Sequence, residues 1–159
     1  MAKSKPVKFK GGKELKKLLD TALKGGMEQV EVGYFPDATY NDKAGTKVAY
    51  VAAIHQFGSE KAGIPERPFF SRAGKKVQPK LLDALKNGID TKEMTVDKGL
   101  ANKLGFLFSE EIKEQAIRLR SPKNKAATIK AKGSSNPLVD GSNGGALLST
   151  TPTWETVSR

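Results

Sequence analysis

Leu15, Leu18, Leu19, Ala22 and Leu23 recur at three- and four-residue intervals with lysines between them, which predicts an amphipathic helix over 13–24. Gly25 and Gly26 close it. Val30, Val32 and Tyr34 then alternate with Glu31, Gly33 and Phe35, the two-residue period of a strand exposed on one side, and Pro36 and Asp37 end it. Asp37 to Thr46 is a polar loop. Helical spacing returns in Ala49, Tyr50, Ala53, Ile54 and Phe57, which share one side of a short helix and leave Ala52, His55 and Gln56 to the other. Gly58, with no Cβ to clash, stops that helix. Pro65 and Pro68 push Ile64 and Arg67 toward extended geometry and make a stiff connector; Pro68 also suits the first turn of a following helix.

That next helix is predicted over 68–88 from Phe69, Phe70, Ala73, Val77, Leu81, Leu82 and Leu85, with Pro79 imposing a kink near Gln78 or dividing it in two. The longest periodic run, Val96, Leu100, Leu104, Leu107, Phe108, Ile112, Ala116 and Leu119, predicts a helix from Thr95 to Arg120. Glu110 and Glu111 read as part of its solvated charged side, because neighbours in a helix do not converge. Gly99 and Gly105 weaken it by about 1 kcal/mol each relative to alanine, or else mark a close approach of another element. Ser121 and Pro122 end the helix, and the basic, small-residue stretch to Asn136 reads as flexible. Pro137-Leu138-Val139-Asp140 is an apolar island, either anchoring a loop to the core or docking on a neighbouring subunit. Ala146 to Leu148 suit a short helix or strand, and 150–157, with Trp154 and several threonines, suits a strand that has Pro152 at its edge or beginning.

Together these elements predict an α+β domain: a small antiparallel sheet packed against two long helices. Its strands are the Val30 segment, a strand near Thr46 and the Trp154 segment; its helices are 68–88 and 95–120. Residues 1–12 are expected to form an extended, flexible basic arm, 13–159 a single domain, and 121–145 a long loop or arm region within it. With 159 residues there is room for one core. A hydrophobic share of 37 % suggests burial completed against neighbours, or mobile arms.

Chemistry narrows the field further. The chain has no cysteine, which excludes disulfides and thiolate sites, and a single histidine, His55, which excludes a histidine pair within one chain. On the polar side of a short helix, His55 reads as an ordinary surface or subunit-contact residue. No phosphate-loop spacing and no recognisable nucleophile with its base is present, so no enzymatic activity, catalytic residue, cofactor or metal is expected. No apolar run approaches the roughly 18 residues of a membrane span, so no membrane partner is expected either. Charge is the strongest compositional signal: 28 Lys and Arg against 17 Asp and Glu give +11. Part of it crowds two places, Lys3, Lys5, Lys8 and Lys10 in the arm and Lys123, Lys125, Lys130 and Lys132 near the late loop. Both are candidate contacts for DNA or an acidic partner, against the plainer reading of solvated charge.

The segments VGYFPDATY, GTKVAYVAAIHQFGSEKAGIPERPFF and TIKAKGSSNPLVDGS carry a resemblance. Ala49 and Tyr50 with Phe57-Gly58 at a helix end, Arg67-Pro68-Phe69-Phe70 at a helix start, and Pro137 to Asp140 resemble, in order and spacing, the neck and tail-completion proteins of long-tailed bacteriophages. Here Asp140 runs directly into GSNGG, where such proteins usually continue with Thr-Gly. The resemblance implies a structural virion protein at the head-to-tail joint, assembled in the host cytoplasm. It implies a homo-oligomeric ring of six or twelve copies, with portal-side and tail-side virion proteins as partners and non-specific contact with packaged DNA. Read from the residues themselves, the candidates for subunit contacts are Tyr50, Phe57, Phe69 and Phe70 as aromatics beside turns, with core packing the plainer reading of Phe57 and Phe70, Arg67 as a guanidinium able to pair with a carboxylate across a contact, and Leu138, Val139 and Asp140 of the apolar island. The alternative, carried by charge alone, is a small basic nucleic-acid-binding protein.

Overall fold

The computed structural model describes residues 13–24, 29–40, 44–90, 92–93, 95–139 and 152–157. The basic arm with Lys3, Lys5, Lys8 and Lys10, the glycine pair Gly25-Gly26, Asp140 and the Ala146–Leu148 segment lie outside the described residues. Within them run α1 (Lys13–Lys24), β1 (Gln29–Gly33), α2 (Val48–Phe57), α3 (Phe69–Gly88), β2 (Ile89–Asp90), β3 (Thr95–Val96), α4 (Leu100–Arg118), α5 (Ala126–Lys132) and β4 (Thr153–Val157). None of the described helices is long and apolar enough to cross a membrane.

The fold is α+β, organised on an α3–α4 hairpin. The start of α3 meets the end of α4 in one apolar cluster, where Phe69, Ala73, Ile112 and Ala116 pack with Val48 and Ala52 of α2 and with Leu119 and Leu138. The other end of the hairpin holds a second cluster, Ala84, Leu85, Ile89 and Leu100, closed by Leu18 and Ala22 from α1. Full burial of side chains the size of Phe69 or Ile112 contributes about 1.5–3 kcal/mol each. β1 and β4 pair antiparallel, Val32 opposite Trp154, and lie against α4. The strand expected near Thr46 amounts to one bridge, Thr39 to Lys47.

Several boundaries differ from the sequence pattern for local reasons. Pro79 lies inside α3, which continues as one helix to Gly88. Pro79 is exposed while Ala73, Val77, Ala84 and Leu85 are buried, so the carbonyl deprived of its N–H partner lies on the side away from the packed face. α4 starts at Leu100, not Thr95, because Thr95 and Val96 pair with Asp90 and Ile89. The Asp97 carboxylate then accepts the Gly99 N–H at 2.8 Å, an Asx turn that sets Gly99 as the N-cap. The 121–139 stretch is folded, with α5 at its centre and Gly133 ending that helix at φ 64°. α5 buries no side chain, which is why no apolar stripe announced it.

Glu111 is the largest departure in α4. Far from joining a solvated face, it is 1 % exposed between the two long helices. Lys76 and Lys80, one turn apart on α3, reach it at 3.1 and 3.2 Å, and Gln115 donates to it at 2.9 Å. Burial pushes this carboxyl up, but those three hydrogen bonds and the Lys76 charge together leave it below its ordinary value. Glu110 does stay at the surface, 3.6 Å from Lys113.

Gly105 settles the question its position in a helix raised. A Cβ there would collide with the Trp154 side chain, whose own Cβ would lie 2.8 Å away. β4 therefore docks on α4 through a glycine notch, with the indole N–H donating to Asn102 at 3.2 Å and the ring meeting Phe106 edge-on. Gly105→Val is expected to unseat Trp154 and cost about 1–3 kcal/mol. Because Trp154 is the single tryptophan, red-shifted emission together with a lower urea midpoint is the signature, and an unshifted spectrum would contradict the notch.

Candidate interaction surface and groove

α2 is apolar on nearly every side, so helical spacing alone does not say which side turns inward. The buried positions are Val48, Ala52 and Gln56, the reverse of the side that carries Tyr50, Ala53 and Phe57. Gln56 explains the choice. Its Oε1 accepts the backbone N–H of Phe70 at 2.9 Å and of Ser71 at 3.4 Å, and its Nε2 donates to the Ser71 hydroxyl at 2.7 Å. No residue at the start of α3 supplies a side-chain cap, so Gln56 caps that helix from outside it. Tyr50 and Phe57 are consequently left 64 % and 69 % exposed, which corrects the reading of Phe57 as core.

Beyond α2 the chain makes a closed loop over 58–66. Gly58 has φ 72° and ψ 174°, a region open essentially to glycine, and a Cβ there would sit 2.9 Å from the Glu66 nitrogen. Ser59 and Ile64 exchange backbone hydrogen bonds, and the Arg67 N–H returns to the His55 carbonyl at 2.7 Å. Pro68 follows at φ −76° and ψ 55°, near an inverse γ-turn, with the Phe69 N–H reaching back to the Arg67 carbonyl at 2.7 Å.

This geometry turns the Arg67 side chain inward. It is 2 % exposed. Its Nε donates to the Pro122 carbonyl at 3.0 Å, Nη2 to Asn124 Oδ1 at 2.8 Å, and Nη1 lies 3.0 Å from His55 Nδ1. An arginine has no lone pair to give, so His55 Nδ1 is the acceptor and the ring proton belongs on Nε2. Burial first, then the charges of Arg67 and Lys132, hold the imidazole well below its ordinary value, at about 4. His55 is thus a mostly buried acceptor, not an ordinary surface residue. Arg67, expected to pair with a carboxylate across a subunit contact, instead ties the 58–66 loop to the 122–124 segment through neutral acceptors of its own chain.

Other residues assigned to subunit contacts fall into two groups. Phe69 and Leu138 are core, and Phe70 is half-buried with its ring 5.7 Å from that of Phe108. Burial leaves Phe69 and Leu138 no surface to offer, so the Pro137–Val139 island is an anchor on its own core. Asn136 holds it there: its Nδ2 donates to the Ile117 carbonyl at 2.6 Å and its Oδ1 accepts the Leu138 N–H at 2.9 Å. Lys132 is spent in the same place, donating to the Asn136 and Pro137 carbonyls. Val139 is half-buried, and Tyr50 and Phe57 are the open aromatics of the set.

Between the 58–66 loop and 122–128 lies a groove of about 690 Å³. His55 and Arg67 line it together with Ile64, Lys123, Asn124 and Lys125. Lys123, Lys125 and Lys130 are exposed, and Lys125 Nζ lies 3.7 Å from the position a Cβ on Gly63 would take. Among the described residues no three His, Asp or Glu side chains gather as metal ligands would. Compared with protein-family models, curated proteins and solved structures, the chain yields no match.

Proposed function

We propose that this chain is a structural subunit of the head-to-tail joint of a tailed bacteriophage, a non-enzymatic protein that assembles into a ring of copies. The observation that carries this reading is the outward aromatic side of α2. Tyr50 and Phe57 stand exposed one above the other with Ala53 between them, on a helix held in place by its capping bond to α3. Large exposed aromatics on a rigid element are the residues that anchor protein contacts. A second exposed aromatic lies elsewhere, on α4, where Phe106 is half exposed and meets the Trp154 ring of β4 edge-on. Unlike surfaces on one chain suit head-to-tail contact, which closes into a ring where the rotation between neighbouring copies permits. The resemblance in Ala49-Tyr50, Phe57-Gly58 and Arg67 to Phe70 supports the same assignment and supplies the virion context. Neighbours on the capsid and tail sides complete the proposed set of partners.

Light scattering and negative-stain microscopy of the purified protein test it. Rings of six or twelve copies are expected, and Tyr50→Glu with Phe57→Glu should disperse them to monomer while circular dichroism stays unchanged. A wild-type protein that remains monomeric at high concentration, or rings that survive both substitutions, would sink the reading.

A further inference from the structure

The groove beside Arg67 carries a positive charge that no carboxylate among the described residues pairs with at close range. Three cations line it, Arg67, Lys123 and Lys125, against the single carboxylate of Glu60. On the helices the pattern is different: Lys76, Lys80, Lys113 and Arg118 each lie within 4 Å of a glutamate. None of the three groove cations has a carboxylate at that distance among the described residues. Asn124 adds to the imbalance. Its Oδ1 is committed to Arg67, which orients the amide, and its Nδ2 is buried without an acceptor among the described residues.

We propose that this groove binds an acidic peptide segment of another protein, a side-chain carboxylate entering between Lys123 and Lys125 above the buried guanidinium. Arg67 acts there as a fixed positive charge behind the wall, at a depth where screening by water is weak. The ammonium groups of the two exposed lysines make the direct contact. Ala62, Ile64 and Pro65 supply apolar wall for the residues flanking the carboxylate, and Gly63 leaves the space before Lys125 open. Apolar side chains beside the cations suit a peptide, which brings a carboxylate and apolar residues together, better than the uniformly charged backbone of a duplex. The net charge of +11 argues that the acidic segment comes from a different protein, since a second copy brings more positive charge. The inference stands on the groove alone and does not require the ring.

The test is fluorescence anisotropy with the full chain and a short fluorescein-labelled peptide of alternating glutamate and leucine. Its glutamine counterpart and a labelled DNA duplex serve as the other probes. The glutamate peptide is expected to bind, the glutamine peptide at least about tenfold more weakly, and the Lys123→Glu, Lys125→Glu double variant to lose at least about tenfold in affinity. The matched reversal Lys13→Glu, Lys16→Glu on α1 changes net charge equally and is expected to leave binding within about twofold, since those lysines border a separate surface depression. All four side chains are exposed, so neither variant threatens the core. Absence of binding, equal loss in both double variants, equal affinity for the glutamine peptide, or preferential capture of the duplex through Lys123 and Lys125 would overturn the proposal. Light scattering on the same samples separates the two ideas: peptide binding by a monomer removes the ring and leaves the groove.

Discussion

Replacing Arg67 by methionine is expected to destabilise the protein by about 3–5 kcal/mol, a large share of what holds a domain of this size together. Exchanging a buried ion pair for apolar residues on both sides is often harmless, but Arg67 has no paired ion to remove. Its acceptors are the Pro122 carbonyl, Asn124 Oδ1 and His55 Nδ1, with the Lys123 carbonyl at the longer distance of 3.5 Å. Methionine fills the volume and strands all of them, and each stranded buried acceptor costs about 1–3 kcal/mol before water entering from the groove relieves part of it. Arg67→Lys should recover less than half of the loss. One ammonium on a flexible stem cannot serve acceptors that diverge around a planar fork. Urea titration at neutral pH is the measurement: the midpoint falls with an unchanged slope, and a methionine variant within about 1 kcal/mol of the parent would dismiss Arg67 as the tie between the two loops.

Acid should act on the same cluster through His55. In the unfolded chain this ring takes up its second proton near pH 6.5, whereas in the folded protein it resists protonation down to about 4. Across that window the unfolded state binds a proton that the folded state does not, so stability is complete above pH 6.5 and declines as the pH drops toward 4. At about 1.4 kcal/mol per pH unit the total approaches roughly 3 kcal/mol. Protonated Nδ1 would face the Arg67 Nη1 donor at 3.0 Å, two donors and two positive charges in contact. His55→Asn puts a non-titrating acceptor near the place of Nδ1 and should flatten the stability profile between pH 6.5 and 4. Glu111 belongs to a lower range: with its carboxyl held below its ordinary value, its contribution is present above that value and fades as the pH falls beneath it. A parent profile that is level from pH 6.5 to 4, or an asparagine variant with the same slope, would contradict the assignment.

The long elements were legible because period and burial agree in them. α1 spans the range its leucine stripe indicated, α3 differs by one residue at its start, and β4 falls where threonines and Trp154 placed it. α2 misled because Val48 to Phe57 is apolar around most of its circumference, and its orientation is decided by one polar residue, Gln56, whose partners lie fourteen and fifteen positions away. The buried tie was illegible for a related reason. Arg67 beside two prolines reads as a presented cation, and three of its four acceptors stand 55 to 57 residues further on, a pairing that local pattern does not encode. Glu111 was recoverable in principle: Lys76 and Lys80 repeat at one-turn spacing on the facing helix, which is what a buried carboxylate between two helices requires. The groove's two sides likewise lie about sixty residues apart in the chain, so its lysines read only as a charge run.

The capping bond from Gln56 to α3 makes α2 a lever with two working ends. Its outer side carries Tyr50 and Phe57, and its last turn supplies the His55 that faces the groove. A protein bound to those aromatics and a peptide bound in the cleft would therefore rest on one and the same helix. Any movement of that helix would make occupancy of the two places mutually dependent, each changing the other's affinity by the same factor.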